Sequence, residues 1–175
     1  MDPDTMPGLG PLRFRYRLVL GFFILALVVS GLTAFPLLAE LRLLASWVPP
    51  DAPLGPWIHR VHLGLEITYA AYPWLAYGTD WLAFAHLVLA VFFIGPYRNP
   101  VQNRWVIQAG LIACGLILPL AFLAGGFRGI PWGWRMIDAS FGVGGAIPLL
   151  YCLRLISDME KAARGHRNEQ PETIR

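Results

Sequence analysis

The chain has 175 residues, a formal net charge of +3 and a mean hydropathy of +0.52. Hydrophobic residues make up 56% of the chain and charged residues 14%, whereas soluble globular domains contain about 45–50% and about 25%. This composition excludes an ordinary water-soluble domain, and the basic excess predicts no nucleic-acid binding, because the arginines cluster at the ends of apolar segments, where membrane topology places them.

Four apolar segments are long enough, or nearly long enough, to cross a membrane. About 20 apolar residues cross the hydrocarbon core as a helix, and a helix satisfies its backbone groups internally. We therefore predict an all-α integral membrane protein with a four-helix membrane domain at residues 13–157, between a flexible N-terminus (1–12) and a polar cytoplasmic tail (158–175). The predicted spans are residues 18–39 (with an extension to 47 as an alternative), 81–97, 105–127 and 136–153.

The basic residues predict the orientation of these spans. With the N-terminus inside, ten of the fourteen Arg and Lys residues fall on the cytoplasmic side and four on the outer side, as the positive-inside rule requires. We expect a multi-pass protein of the bacterial inner (plasma) membrane, with the lipid bilayer as its first partner and both termini in the cytoplasm. A fifth span at residues 61–77 is disfavoured, because it would place Glu66 in lipid.

Residues 56–77, between the first two spans, predict an amphipathic helix on the outer membrane surface. One narrow face of this helix carries His59, His62 and Glu66, since helical residues advance by about 100° each. Three interpretations are open. The first is a helix lying at the membrane interface. The second is a metal or proton site, in which imidazole and carboxylate ligands would suit zinc or copper, and the third is docking against a partner or against the chain's own polar span residues. A turn at residues 78–80 is expected to precede the second span, with Thr79 or Asp80 as its cap.

His86 is the one histidine inside a predicted span. A titratable group at that depth normally has a protein partner, and His86 is therefore the fourth candidate metal ligand after His59, His62 and Glu66. Haem is a weaker alternative to zinc or copper. The chain resembles haem-binding four-helix cytochromes in the number of spans only, because their paired intramembrane histidines are missing.

Asp80, Arg135 and Asp138 form a second candidate group, a polar cluster on the outer side. Arg135 and Asp138 stand three positions apart at the start of the fourth span, a spacing typical of a local ion pair at a helix entrance. The alternative joins Asp138 to His86 and Glu66 across the outer half of the bundle.

Small residues in the fourth span predict close helix packing and no chemistry. Residues four positions apart form two pairs that would let a neighbouring helix approach closely. The pairs are Ser140 with Gly144 and Gly142 with Ala146. Pro36, Pro119 and Pro148 are expected to bend the spans, and Cys114 and Cys152 to act as small buried hydrophobic residues.

The sequence carries no phosphate-binding loop, paired CxxC motif or Ser-His-Asp pattern. We therefore expect an accessory or structural membrane subunit without catalysis of its own, within a homo-oligomer or a larger membrane complex. The alternative is a metal- or haem-binding redox protein with its site on the outer side. A small-solute or lipid carrier that works as an oligomer is the third hypothesis.

Overall fold

The computed structural model describes residues 9–169, including the side chains of residues 9–165. Every regular element in this part of the chain is helical, which confirms the predicted all-α class. The predicted N-terminal and C-terminal tails lie partly outside the described residues, at positions 1–8 and 170–175. The helices are α1 (Leu9–Ala34), α2 (Leu37–Trp47), α3 (Gly55–Ala71), α4 (Ala76–Phe92), α5 (Ile94–Arg98), α6 (Arg104–Pro119), α7 (Gly125–Phe127) and α8 (Trp132–Glu169).

Four helical stretches are long and apolar enough to cross a membrane, as the sequence predicted. They are Leu9–Ala34, Pro73–Arg98, Arg104–Phe127 and Trp132–Gly165. The second stretch joins a 3-10 turn at Pro73–Leu75 to α4 and α5. The third joins α6 to α7 through a π turn at Leu120–Ala124.

The first span ends earlier than the sequence predicted. Helix α1 stops at Ala34 instead of continuing to residue 39 or 47, and Pro36 stands at the N-cap of a separate helix, α2. Proline has no backbone N–H to donate and its ring collides with the preceding turn. The result is a break between two helices, where the sequence had predicted only a bend.

The boundary between α3 and the second span also differs from the prediction. Helix α3 ends at Ala71, because Pro73 disfavours a helical conformation at Tyr72. The turn expected at residues 78–80 was wrong, since these residues lie inside α4. The Thr79 hydroxyl donates to the carbonyl oxygen of Ala76, at 2.6 Å, within the helix that it was expected to cap.

The last helix is longer than its predicted span of residues 136–153. Helix α8 begins at Trp132, passes through Pro148 and continues to Glu169, so the first part of the predicted polar tail is helical. The turn before α8 contains Gly129, whose φ of +69° is a conformation that glycine adopts without steric penalty.

The long helices pack through apolar and small side chains. Helix α1 contacts α4 and α8, and α8 also contacts α6. Gly142 lets α8 lie close to α6, because a Cβ atom there would be 2.6 Å from the carbonyl oxygen of Cys114. The largest fully buried side chains include Tyr16, Leu20 and Ile156, and the Tyr16 hydroxyl donates to the carbonyl oxygen of Pro96 at 3.0 Å.

The outward faces of the same helices are also apolar. Phe22 is 69% exposed, Ile112 is 64% exposed and Phe141 is 68% exposed. Soluble monomers rarely leave contiguous apolar surface of this kind in water. The helices therefore present apolar side chains both to one another and to their surroundings.

Replacing Gly142 by alanine should destabilise the protein more than the same change at Gly144. The new Cβ would collide with the backbone of α6, which cannot move as a flexible side chain would, and overpacking of this kind costs about 1–3 kcal/mol. At Gly144 a Cβ would meet nothing within 4 Å. Thermal unfolding of the detergent-solubilised variants, followed by circular dichroism, measures the difference. Equal unfolding midpoints would contradict the close α6–α8 approach.

Candidate functional site

Helices α2 and α3 pack against each other and form a helical hairpin. The hairpin follows the C-terminus of α1 and precedes the N-terminus of α4, and Leu54 at its turn lies beside Gly133 at the start of α8. We call this side of the molecule the hairpin end. The opposite side, where α1 begins and α8 ends, is the terminal end. His59, His62 and Glu66 lie in the hairpin, and Asp138 lies near the start of α8 at the same end. His86 lies midway along the second candidate span.

The polar face of α3 is held by the chain's own α2. Arg42 on α2 donates from Nη2 to Oε1 of Glu66 at 3.2 Å. His59 Nε2 lies 2.9 Å from the carbonyl oxygen of Val48, just after α2. Because a carbonyl only accepts, Nε2 carries the proton in this contact. These bonds favour the interpretation that the face docks on the chain itself.

His62 and His86 are placed differently from His59. The Nε2 atom of His62 is buried and has no hydrogen-bond partner in the described part of the chain. His86 Nδ1 lies 2.9 Å from the carbonyl oxygen of Leu82, one turn earlier on its own helix. The polar contact of His86 is therefore local to α4 and reaches no neighbouring helix.

The predicted metal ligands are not assembled into a metal site. Among the described residues, no three His, Cys, Asp or Glu side chains are grouped in a way that could hold a metal ion. Glu66 is paired with Arg42, and His59 is bonded to the backbone at Val48. Zinc, copper and haem therefore stay predictions without geometric support.

Arg135 turns away from Asp138. Its Nη1 lies 3.5 Å from the carbonyl oxygen of Phe122 in the π turn, and its guanidinium carbon lies 5.1 Å from the ring centre of Trp132. Long helical side chains point towards the N-terminus of their helix, whereas Asp138 is almost one turn further along α8. Within residues 9–165, Asp138 forms no ion pair or hydrogen bond, and the local ion pair expected from the sequence is not formed.

Asp80, the third member of the predicted polar cluster, lies apart in an aromatic cleft of about 280 Å³. This cleft was not predicted from the sequence. Its signal was the spacing of Tyr77, Asp80, Trp81 and Phe84, which repeats at three and four positions and so shares one helix face. The fifth lining residue, Phe35, comes from the break between α1 and α2.

The two predicted pairs of small residues on α8 lie in different environments. Gly142 faces α6, and Ala146 packs against the buried core. Ser140 and Gly144 are exposed, and the space beside Gly144 is open. One small-residue pair therefore packs the chain internally, and the other lies on its surface.

An ion-pair group at the terminal end was also not predicted from the sequence. Glu160 accepts from Arg104 at 3.0 Å, which ties the start of α6 to the distal part of α8. Arg164 approaches the same carboxylate at 3.8 Å. The signal was Glu160 itself, one of the acidic residues in a tail that was assumed to be separate from the membrane domain.

Comparison with known proteins shows no family. No protein-family model matches the sequence, and no curated protein and no solved structure matches it either. An assignment of function therefore rests on the residues and contacts of this chain.

Replacing His59 by alanine should lower stability, whereas replacing His86 by alanine should have little effect. The first change removes a contact between α3 and the end of α2 and leaves the Val48 carbonyl without that donor, a loss of about 1 kcal/mol. The second removes a bond within one helix turn. Thermal unfolding in detergent is the measurement. A larger loss for His86→Ala would show that His86 has a partner elsewhere.

Proposed function

We propose that this chain is a four-span integral membrane protein that serves as an accessory or structural subunit, without catalysis of its own. Support for membrane insertion comes from four helices of sufficient length and apolarity whose outward faces carry exposed Phe, Leu and Ile side chains. Such faces are suited to contact with lipid, because hydrocarbon tails are as apolar as the side chains themselves.

The proposed location is the bacterial inner membrane, with both termini in the cytoplasm. The basic residues support this orientation, because Arg13, Arg15 and Arg17 lie at the terminal end of α1 and Arg98 and Arg104 at the turn before α6. Arg and Lys favour the cytoplasmic side of short loops. The hairpin end then faces away from the cytoplasm.

One observation supports the subunit role: the side chains buried between the helices are apolar, whereas the ion pairs lie at the two ends of the molecule. Fully buried side chains between the helices include Leu20, Ile107 and Leu149. These side chains can pack but have no group that could take part in a reaction. Charged groups that form ion pairs across the chain do so at its two ends, as in Arg42–Glu66 and Arg104–Glu160. These pairs hold helices together. Charged groups used in this way fit a structural subunit better than an enzyme or a carrier.

Ser140 and Gly144 on α8 are the proposed contact with a partner. Outward small residues four positions apart let a second transmembrane helix approach closely, and the neighbouring Ile147 is 64% exposed. The partner would be a transmembrane helix of a larger complex or a second copy of this chain.

Position 60 and position 161 should lie on opposite sides of the membrane. Arg60 is exposed on α3 at the hairpin end, and Lys161 is exposed near the end of α8. A membrane-impermeant maleimide applied to intact spheroplasts should label Arg60→Cys at once and Lys161→Cys only after permeabilisation. The native cysteines are buried, and the unsubstituted protein gives their background. Labelling of both positions in the same compartment would refute the proposed topology.

Replacing Gly144 by isoleucine should dissociate the assembly without unfolding the chain. The added side chain would occupy the surface where the partner helix lies, in space that is open in the chain alone. Native mass spectrometry of mildly extracted protein should show a mass above that of one chain, reduced about tenfold in abundance by Gly144→Ile, as expected for a loss of about 1.4 kcal/mol.

Gly115→Ile on α6 is the matched control, because a Cβ at Gly115 also meets nothing within 4 Å. It should leave the assembly unchanged. The same spectra report bound metal or haem. A chain that is monomeric and carries a stoichiometric metal would contradict the subunit role and favour the redox alternative.

A further inference from the structure

The cleft around Asp80 combines one unpaired carboxylate with four aromatic rings. It is lined by Phe35, Tyr77, Asp80, Trp81 and Phe84 and has a volume of about 280 Å³, at the lower limit of the range for small-molecule pockets, about 300–1,000 Å³. Tyr77, Trp81 and Phe84 form a continuous series, with ring centres 5.9 Å and 5.8 Å apart in edge-to-face contacts.

The carboxylate of Asp80 is unpaired in the described part of the chain. It is half-buried, and it forms no hydrogen bond or ion pair with any residue that the structure describes. It lies seven positions after Pro73 in the second candidate span, about 10 Å along the helix. A carboxylate within a membrane span normally pairs with another group, because isolation in an apolar surrounding is unfavourable.

The lining selects the chemical class of the missing partner. A carboxylate attracts a cation, and the faces of Trp, Tyr and Phe rings attract cations as well. Calcium and magnesium are unsuited, because they require several oxygen ligands and the cleft supplies one carboxylate among apolar groups. An alkylammonium group fits both features, since its carbon atoms can contact the rings while its charge lies beside Asp80.

We propose that this cleft binds an alkylammonium cation, with Asp80 as the counter-ion and the rings of Tyr77, Trp81 and Phe84 as the contact surface. The cation is the head group of a membrane lipid or a soluble organic amine. The proposal rests on the proposed membrane location for the depth of Asp80, and it is independent of the subunit role.

Two probes distinguish the two sources. Native mass spectrometry compares retention of phosphatidylcholine with retention of phosphatidylglycerol of identical acyl chains. A titration with choline chloride, followed by tryptophan fluorescence in phosphatidylglycerol nanodiscs, tests a soluble cation. Preferential retention of phosphatidylcholine without a choline response assigns a lipid head group, and a saturable choline response assigns a soluble amine. Binding of neither probe overturns the proposal.

Asp80→Asn should weaken binding of the responding probe about tenfold, because it removes the charge at nearly constant size. Trp81→Leu should weaken it as well, and Asp80→Glu should retain most of it. Asp51→Asn, at an exposed acidic residue in the turn between α2 and α3, should leave binding unchanged. Unfolding midpoints check that all variants are folded. Wild-type binding in a folded Asp80→Asn variant, or loss of a bound protein instead of a cation, would also overturn the proposal.

Extraction with alkaline carbonate tests membrane insertion separately. A protein that resists extraction and binds neither probe leaves the membrane location standing and removes the cation site. A protein released by alkali whose detergent-purified form binds choline through Asp80 removes the membrane location and keeps the site.

Discussion

The close approach of α6 and α8 at Gly142 is the contact on which the arrangement of the long helices depends. Without a side chain at this position, the backbone of α6 at Cys114 comes within van der Waals range of α8. Gly145 continues the contact, since a Cβ there would lie 3.0 Å from the Cys114 sulfur. Where both faces of a helix are apolar, hydrophobicity alone does not choose a neighbour, and the shape of small residues decides which helices meet.

Polar side chains secure the two ends of this apolar packing. At the hairpin end, Arg42 and His59 hold α2 and α3 together. At the terminal end, Arg104 and Glu160 join α6 to α8. An exposed ion pair in water contributes little, about 0–1 kcal/mol, so these contacts fix the positions of segments more than they stabilise the whole. The apolar packing between the long helices supplies the stability of the fold. The polar contacts at the two ends fix where the hairpin and the distal part of α8 lie relative to their neighbouring helices.

The helical class and the four span-forming segments could be predicted from the sequence, because both follow from the length of uncharged runs. Helix boundaries at prolines were less predictable. Pro36 and Pro73 each separate two helices, and whether a proline bends or ends a helix depends on what the following segment contacts. His59 and Glu66 lie on the same helix, α3, as expected. Their partners, Val48 and Arg42, come from the reversal of the chain between α2 and α3, which a helical wheel does not contain. The cleft at Asp80 was missed for the same reason, since Phe35 reaches it only through the break after α1.

The surroundings of Asp80 differ from those of the paired carboxylates Glu66 and Glu160. Glu160 at the terminal end forms ion pairs with two arginines. Asp80 at the hairpin end has no partner among the described residues, and aromatic rings surround it. A group that only stabilises the fold gains from a bond within the chain, and Glu66 has one. Asp80 has none among the described residues, and it lies in a cleft with room for a small group. The alkylammonium cation proposed above would give this carboxylate the partner that the described residues do not supply.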